Sequence, residues 1–279
     1  MVNGDGLNIA RRIEQHEARA WAACVEAAAS EPGNPLGAAC ECRGGAVLST
    51  LSALNFAAFN RVIALGVASP DDAGELAAVR AFYERRAQTR YAVEVTPASP
   101  ASLRTALAEQ GFVAAREGVA KLWRGVDGIP AARGVVDIRE VSTQDRKEWA
   151  AVNLDAWQLP QFFDAWFVAT IGHDGFRHFG AFEGNQMVAT GALFATDDVA
   201  WIGFDATRSN FRGRGFQHAM IIGRLEEAAK MGCRLVHVEI AGVTAGMTNQ
   251  SLDNMVKLGF ERIYDKECFA PPAKATARR

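Results

Sequence analysis

Residues 210–217 read Asn-Phe-Arg-Gly-Arg-Gly-Phe-Gln, two glycines two apart with an arginine before each. Glycines so placed let the backbone turn tightly and bring its N–H groups up to a ligand. At the start of a helix those donors and the helix dipole together favour an anion, usually a phosphate. Arg212 and Arg214 would add positive charge beside it. A P-loop would need Gly-Lys-Ser/Thr where Phe216-Gln217 stands. A dinucleotide fingerprint would need Gly or Ala three residues after Gly215, where His218 stands. What remains is a phosphate cradle of another kind or a plain strand-to-helix turn.

The cradle needs a strand before it and a helix after it. A strand over about 198–206 and a helix over about 215–231 supply them. Upstream, a strand (Val135–Arg139), helices near 143–157 and 160–170, and strands at about 177–183 and 186–195 are expected. Turns at Gly184-Asn185 and Asp197-Asp198 join the last three strands. Downstream come a strand (235–240), a helix (about 249–258) and a final strand pair. In the first half, Ile9, Ile13, Ala20, Trp21, Cys24 and Ala28 share one face of a helix over 9–29, which Glu31-Pro-Gly-Asn-Pro35 ends. A strand (61–67), a helix capped by Asp71 and Asp72 and running to about Ala87, a strand (91–95) and a helix from Ser99-Pro100 to Gly111 follow. Gly125, Gly128, Pro130 and Gly134 mark a linker.

The halves repeat each other. Arg90-Tyr-Ala-Val-Glu94-Val95, Ser102-Leu103 and Gly111-Phe112 parallel Arg234-Leu-Val-His-Val-Glu239-Ile240, Ser251-Leu252 and Gly259-Phe260. In each, a strand carries a Glu near its end and a helix closes on Gly-Phe. Two related domains, 1–130 and 131–279, account for this.

A length of 279 residues leaves room for about two domains. Hydrophobic residues at 49% and charged residues at 22% exclude a disordered chain. A net charge of -2 argues against nucleic acid as the main partner. No stretch approaches the roughly 20 apolar residues that span a bilayer, and Met1–Arg12 lacks the apolar segment of a secretory signal, so no membrane partner is expected. Of five cysteines only Cys40 and Cys42 are close, which is no metal-site spacing. No metal is expected, and the thiols fit a reducing cytoplasm.

The loop at 210–217 after a strand, with Gly259-Phe260 closing a later helix, resembles the GNAT acetyltransferase superfamily, whose Gln/Arg-x-x-Gly-x-Gly/Ala loop binds the pyrophosphate of acetyl-CoA. Ser251-x-x-Asn254-x-x-Lys257-x-Gly259-Phe260 is similar to the Ser-x-x-Asn-x-x-Arg-x-Gly-Phe ending of one GNAT group. The resemblance is good over about 135–269 and weaker over 45–124, where the loop is missing. It implies an α+β (mixed α/β) tandem fold: a degenerate GNAT-like domain with an N-terminal helix at 1–130, and an acetyl-CoA-binding GNAT domain at 131–279. Each would be a twisted, mixed, mostly antiparallel sheet flanked by helices. The family's first loop position is Asn210 here, the glycine that often follows one residue after the motif is Gln217, and position 255, often a tyrosine acting as general acid, is Met255.

The implied activity is direct acetyl transfer from acetyl-CoA to a primary amine of a small acceptor. Cofactor contacts fall on the backbone of Phe204, Asp205, Ala206 and Thr207, on the loop Arg212, Gly213, Arg214, Gly215, Phe216 and Gln217, and on Asn254. Asp205, Glu239 and His237 are candidate bases; against those roles stand an exposed carboxylate, a salt-bridged strand end and a packing histidine. Ser251 is a candidate proton donor or a helix cap, and Tyr264 a replacement acid or a core residue. Trp157, Phe162, Phe163, Trp166 and Phe167 form core, lid or an apolar acceptor wall. Without a tyrosine at 255, a non-catalytic acyl-CoA-binding or sensing protein is the alternative, and an interaction module that lost its ligand the third reading. The acceptor stays open among aminoglycoside, amino acid, polyamine and protein N-terminus, and a homodimer is compatible with the chain.

Overall fold

The computed structural model describes residues 4–54, 56–69, 75–114, 119–132, 134–242 and 249–272. The first half opens with α1 (Gly4–Ser30), followed by β1 (Ala38–Arg43), β2 (Ala46–Leu51), β3 (Arg61–Ile63), α2 (Leu76–Glu84), β4 (Ala92–Val95), α3 (Ala101–Glu109), β5 (Val113–Ala114) and β6 (Val119–Gly125). The second runs β7 (Asp137–Glu140), α4 (Arg146–Trp157), α5 (Asp164–Ala169), β8 (Phe176–Glu183), β9 (Gln186–Thr196), β10 (Val199–Thr207), α6 (Phe216–Lys230), β11 (Leu235–Ala241), α7 (Gln250–Lys257) and β12 (Glu261–Ala270).

One sheet runs through both halves in the order β1-β2-β3-β4-β12-β6-β11-β10-β9-β8-β7, with β5 beside β12. Only β3–β4 and β10–β11 are parallel; every other described pair is antiparallel. This is the mixed, mostly antiparallel α/β architecture expected, with the same strand–helix–parallel strand unit in each half. The halves are joined by exchange: β6, from before the linker, lies between β12 and β11, and the far end of β12 pairs with β4.

Three readings change. The expected strand 61–67 is only Arg61–Ile63, because Ala64 and Gly66 turn into positive φ (+60° and +72°). The final strand pair is one strand, β12, kept in register with β6 by a shift between Arg262 and Tyr264. The β1–β2 hairpin and β6 are additional to the expected strands, since Ala-Ala-Cys-Glu-Cys-Arg and Val-Ala-Lys-Leu-Trp-Arg-Gly show no simple alternation. Asp71 and Asp72, expected to cap α2, and the tail from 273 lie outside the described residues.

Helix α1 is the strap between the halves. It packs on β1 and β2 of the first and on β10 and α5 of the second. Arg12 reaches Asp198 at 2.6 Å and Arg19 reaches Asp197 at 2.8 Å, both in the β9–β10 turn. Its buried face holds Ala10, Ile13, Ala20 and Cys24, but also Glu14, His16 and Glu17. Three ionisable groups on an apolar face must find partners or cost several kcal/mol each. They find them at the seam.

Candidate active site

Strands β10 and β11 pair only through Val199–Trp201 against Leu235–His237, although both run on. Beyond that point they part. Among the described residues the edge of β10 from Gly203 onward has no strand on that side, so its backbone groups are placed to pair with an extended ligand as an added strand would. The same stretch carries a β-bulge: its register with β9 shifts between Gly203 and Ala206, and Phe204 sits at φ +54°. A bulky residue in the left-handed region is strained, and a bulge there re-aims the backbone. The ring of Phe204 is clamped by Trp149, Trp166, Phe167 and Trp201, with centroids 5.6–6.3 Å away.

Asp205 sits in the bulge. Its carboxylate takes two hydrogen bonds from the guanidinium of Arg224, one of them 3.1 Å, and Arg224 is fully buried. The same guanidinium donates to the carbonyls of Ala192 and Gly203 at 3.2 Å. Asp205 is therefore committed to holding the bulge rather than exposed.

The chain then crosses to α6 through a short 3₁₀ turn (Ser209–Phe211) and the two glycines. Gly213 and Gly215 lie at φ +75° and +84°, and a Cβ on either would meet nothing within 4 Å. Backbone conformation, not crowding, demands glycine here, and the cradle faces open space. Gly215 caps α6, whose first N–H groups have no partner within the helix. The two arginines point elsewhere. Arg212 donates to the carbonyls of Ala156 (3.0 Å) and Thr207 (3.2 Å). Arg214 pairs with Glu183 and stacks near Phe211 and Phe216. On the far lip, Asn254 donates to Gln217 (2.7 Å), which donates to Ser251 (3.4 Å). Asn249, not Ser251, caps α7.

A cleft of about 820 Å³ links the glycine loop, the bulge and α7 to α1 of the first half. Its floor is a knot of charge at the seam. Glu239 on β11 is 2.8 Å from Arg61, 3.1 Å from Lys266 and 3.6 Å from Lys121. Glu17 on α1 is 2.6 Å from both Lys121 and Lys266 and 3.5 Å from Arg61. Glu94, the repeat counterpart of Glu239, is 2.5 Å from Arg61 and 2.7 Å from Lys266. Burial would raise the Glu17 carboxyl, but Lys121, Lys266 and Arg61 hold it below the ordinary range. Burial would lower Lys266, yet its four glutamates push it well above. Glu14 is raised by burial and accepts the hydroxyl of Tyr264 at 2.5 Å. Glu239 keeps a side chain 19% exposed to the cleft; Glu17 keeps 4%.

Residues 138–260 match the sequence model of the acetyltransferase (GNAT) family. A GNAT domain is thus matched over residues 138–260. The whole chain has the fold of a GCN5-related N-acetyltransferase from Kribbella flavida (17% identity, TM-score 0.61, covering 91% of this chain and 97% of that one). It is also similar to a tandem GNAT protein from the clavulanic acid biosynthesis pathway (18%, 0.59, 93% and 96%). A GCN5-related N-acetyltransferase from Sphaerobacter thermophilus is alike too (16%, 0.56, 94% and 94%). No curated protein matches the sequence.

Within the GNAT domain the structure brings Phe204–Thr207, the 212–217 loop, Ser251, Asn254 and Glu239 to one cleft. It leaves out His237 and Tyr264. His237 is fully buried and shares a 2.9 Å hydrogen bond with His16; burial pushes both down, His16 to about 3. Tyr264 is a core residue, raised far above its ordinary value by burial and by Glu14. Met255 is buried at the cleft wall. The expected aromatic cluster divides: Phe163, Trp166 and Phe167 are buried, whereas Trp157 and Phe162 are exposed. Sequence reasoning missed Glu17, Trp21 and Arg61, which the first half sends into the cleft. A signal existed for Glu17, a carboxylate in line with Ile13, Ala20 and Cys24 on the apolar face of α1.

Proposed function

We propose that the protein transfers an acetyl group from acetyl-CoA to the primary amine of a small acceptor, with residues 131–279 supplying the CoA site and residues 1–130 closing the acceptor side. The observation that carries this is the parting of β10 and β11 at the Phe204 bulge, immediately before a glycine turn at the N-terminus of a 15-residue helix. Pantetheine lies along the free edge of Phe204–Thr207, and the pyrophosphate takes the N–H groups of residues 213–217. Asn254 and Ser251, tied through Gln217, border the CoA arm. A backbone N–H in the bulge polarises the thioester carbonyl, where oxyanion charge develops.

The acceptor enters as an ammonium and must lose a proton before it attacks. Glu239 is the base, acting directly or through one water. The apolar walls help by desolvating the ammonium, which lowers its pKa. The nitrogen forms the C–N bond, the C–S bond breaks, and CoA departs as a thiolate; the amide nitrogen's remaining extra proton ends on that sulfur through solvent. A thiol pKa near 8.5 makes the thiolate a tolerable leaving group without a tyrosine. Asp205 serves the bulge through Arg224 and takes no proton.

Met255 supports a second reading, a GNAT fold that binds acyl-CoA without turnover. Thiol release from acetyl-CoA with a panel of primary amines separates the two. The first reading predicts release that Glu239→Gln lowers by about 10²–10³-fold at unchanged acetyl-CoA affinity. Binding with no thiol from any amine supports the second.

A further inference from the structure

The acceptor side of the cleft is built by both halves, and its walls are aromatic. Trp21 on α1 and Phe59 before β3 come from the first half; Trp166 on α5 and Trp201 on β10 come from the second. Trp21 lies 5.4 Å from Trp166, Phe59 lies 5.6 Å from Trp166 edge-to-face, and Trp21 and Phe59 are 6.5 Å apart. Trp201 folds back over Gly203, where a Cβ would fall 2.0 Å from its ring, and so stays against the bulge. Trp21, Phe59 and Trp201 are only partly buried, which leaves their edges to the cleft.

The charges beside these walls are already assigned. Arg61 stacks 4.5 Å over Trp21 and is held by Glu17, Glu94 and Glu239, so it has no valence left for an acceptor carboxylate. Arg212, the other arginine lining the cleft, is spent on two backbone carbonyls. Of the carboxylates lining it among the described residues, Asp205 belongs to Arg224 and Glu17 is buried against Lys121 and Lys266, which leaves Glu239, 19% exposed, to face a newcomer. A second or third ammonium, as on a polyamine, would find no counter-charge.

We infer that the acceptor chamber takes a primary monoamine carried on an aromatic or similarly bulky apolar body, with Trp21 of the first half as its main specificity residue. This rests on the acetyl-transfer reading for its chemistry, but not for its binding. The single ammonium meets Glu239 at the floor, while the ring lies among Trp21, Phe59 and Trp166, whose π-faces also favour the cation. A long acyl chain on the donor would use the walls but leave the Glu239 carboxylate facing hydrocarbon.

The test is direct binding to the full-length protein, read by tryptophan fluorescence and calorimetry, with 2-phenylethylamine, spermidine and alanine as probes. Acetyl-CoA and octanoyl-CoA are titrated separately. The expected result is at least tenfold tighter binding of 2-phenylethylamine than of spermidine or alanine. Trp21→Ala should weaken it at least tenfold and leave acetyl-CoA within twofold, while Trp21→Phe should stay within threefold of wild type. Spermidine or alanine binding as well as 2-phenylethylamine would overturn the inference. So would a Trp21→Ala variant that loses octanoyl-CoA and keeps the amine, which would make the chamber an acyl pocket. Failure of acetyl-CoA to bind would count against the acetyl-transfer reading alone, since the amine titration stands without it.

Discussion

The two halves run the same strand–helix–parallel strand unit and end with opposite results. In the second, β10 continues past its last pairing with β11, bulges at Phe204 and reaches α6 through two left-handed glycines, so a slot opens. In the first, β3 stops after three residues, and Arg61 bridges it to Glu94 on β4 at 2.5 Å. The equivalent glutamate in the second half, Glu239, faces the cleft instead, and the same Arg61 reaches across to it. Strand order alone therefore does not open a slot; a bulge, a parted pair and a short glycine turn do. The first half has kept the order, closed its own slot with an ion pair, and contributes its side chains to its neighbour's.

If the halves are interdependent in this way, the largest effect comes from separating them. A 131–279 fragment lacks β6, the strand between β11 and β12. It should be unfolded or aggregated by circular dichroism and light scattering; a soluble, folded fragment with full acetyl-CoA affinity would break the comparison.

Next is the seam itself. Lys266 is fully buried among Glu14, Glu17, Glu94 and Glu239. Lys266→Met strands those carboxylates and should cost about 3–5 kcal/mol in denaturant unfolding. Arg104→Ala, which breaks an exposed pair with Glu267 on the adjacent position of the same strand, should cost less than about 1 kcal/mol.

The second half also carries an acid sensitivity away from the cleft. His178 is buried against Trp149 and Phe176, shares a 2.9 Å hydrogen bond with Thr170, and is pushed by burial to about 3. A folded-state value below the unfolded one means the unfolded chain binds the proton first as pH falls. The contribution is complete above about pH 6.5 and is lost progressively toward pH 3. Glu17 and Glu94, held low by their cations, begin to lose theirs as pH falls through the ordinary carboxylate range and finish only well below it. Thermal midpoints between pH 7 and 4 should fall, and His178→Asn should flatten that slope.

The smallest expected effect concerns the loop's arginines. Arg214→Ala frees Glu183 and leaves the backbone cradle in place, so acetyl-CoA affinity should change less than about threefold. A loss of tenfold or more would return Arg214 to the phosphate.

The loop was legible in the sequence because its chemistry is local: glycine spacing, a strand before it and a helix after it fall within about 30 residues. The sheet of the second half was legible for the same reason, its strands being separated by clear turns at Gly184-Asn185 and Asp197-Asp198. The floor of the cleft was not. Glu17, Arg61, Lys121, Glu239 and Lys266 meet only because β6 and β12 exchange between halves, and no pattern of nearby residues encodes that pairing. Asp205 looked like a free carboxylate because its partner Arg224 lies on the buried face of α6, where helical spacing predicts an apolar residue.

The central claim is that the left-handed glycine turn before α6 holds acetyl-CoA. Calorimetric titration of the wild type with acetyl-CoA, beside Gly213→Val and Gly215→Val, tests it, with Gly66→Val in the first half as the control. The wild type and the Gly66 variant should bind at micromolar strength, about 8 kcal/mol, with the Gly213 and Gly215 variants weakened about 100-fold or more while still folded. No heat with wild type, or equal loss from Gly66→Val, would contradict it.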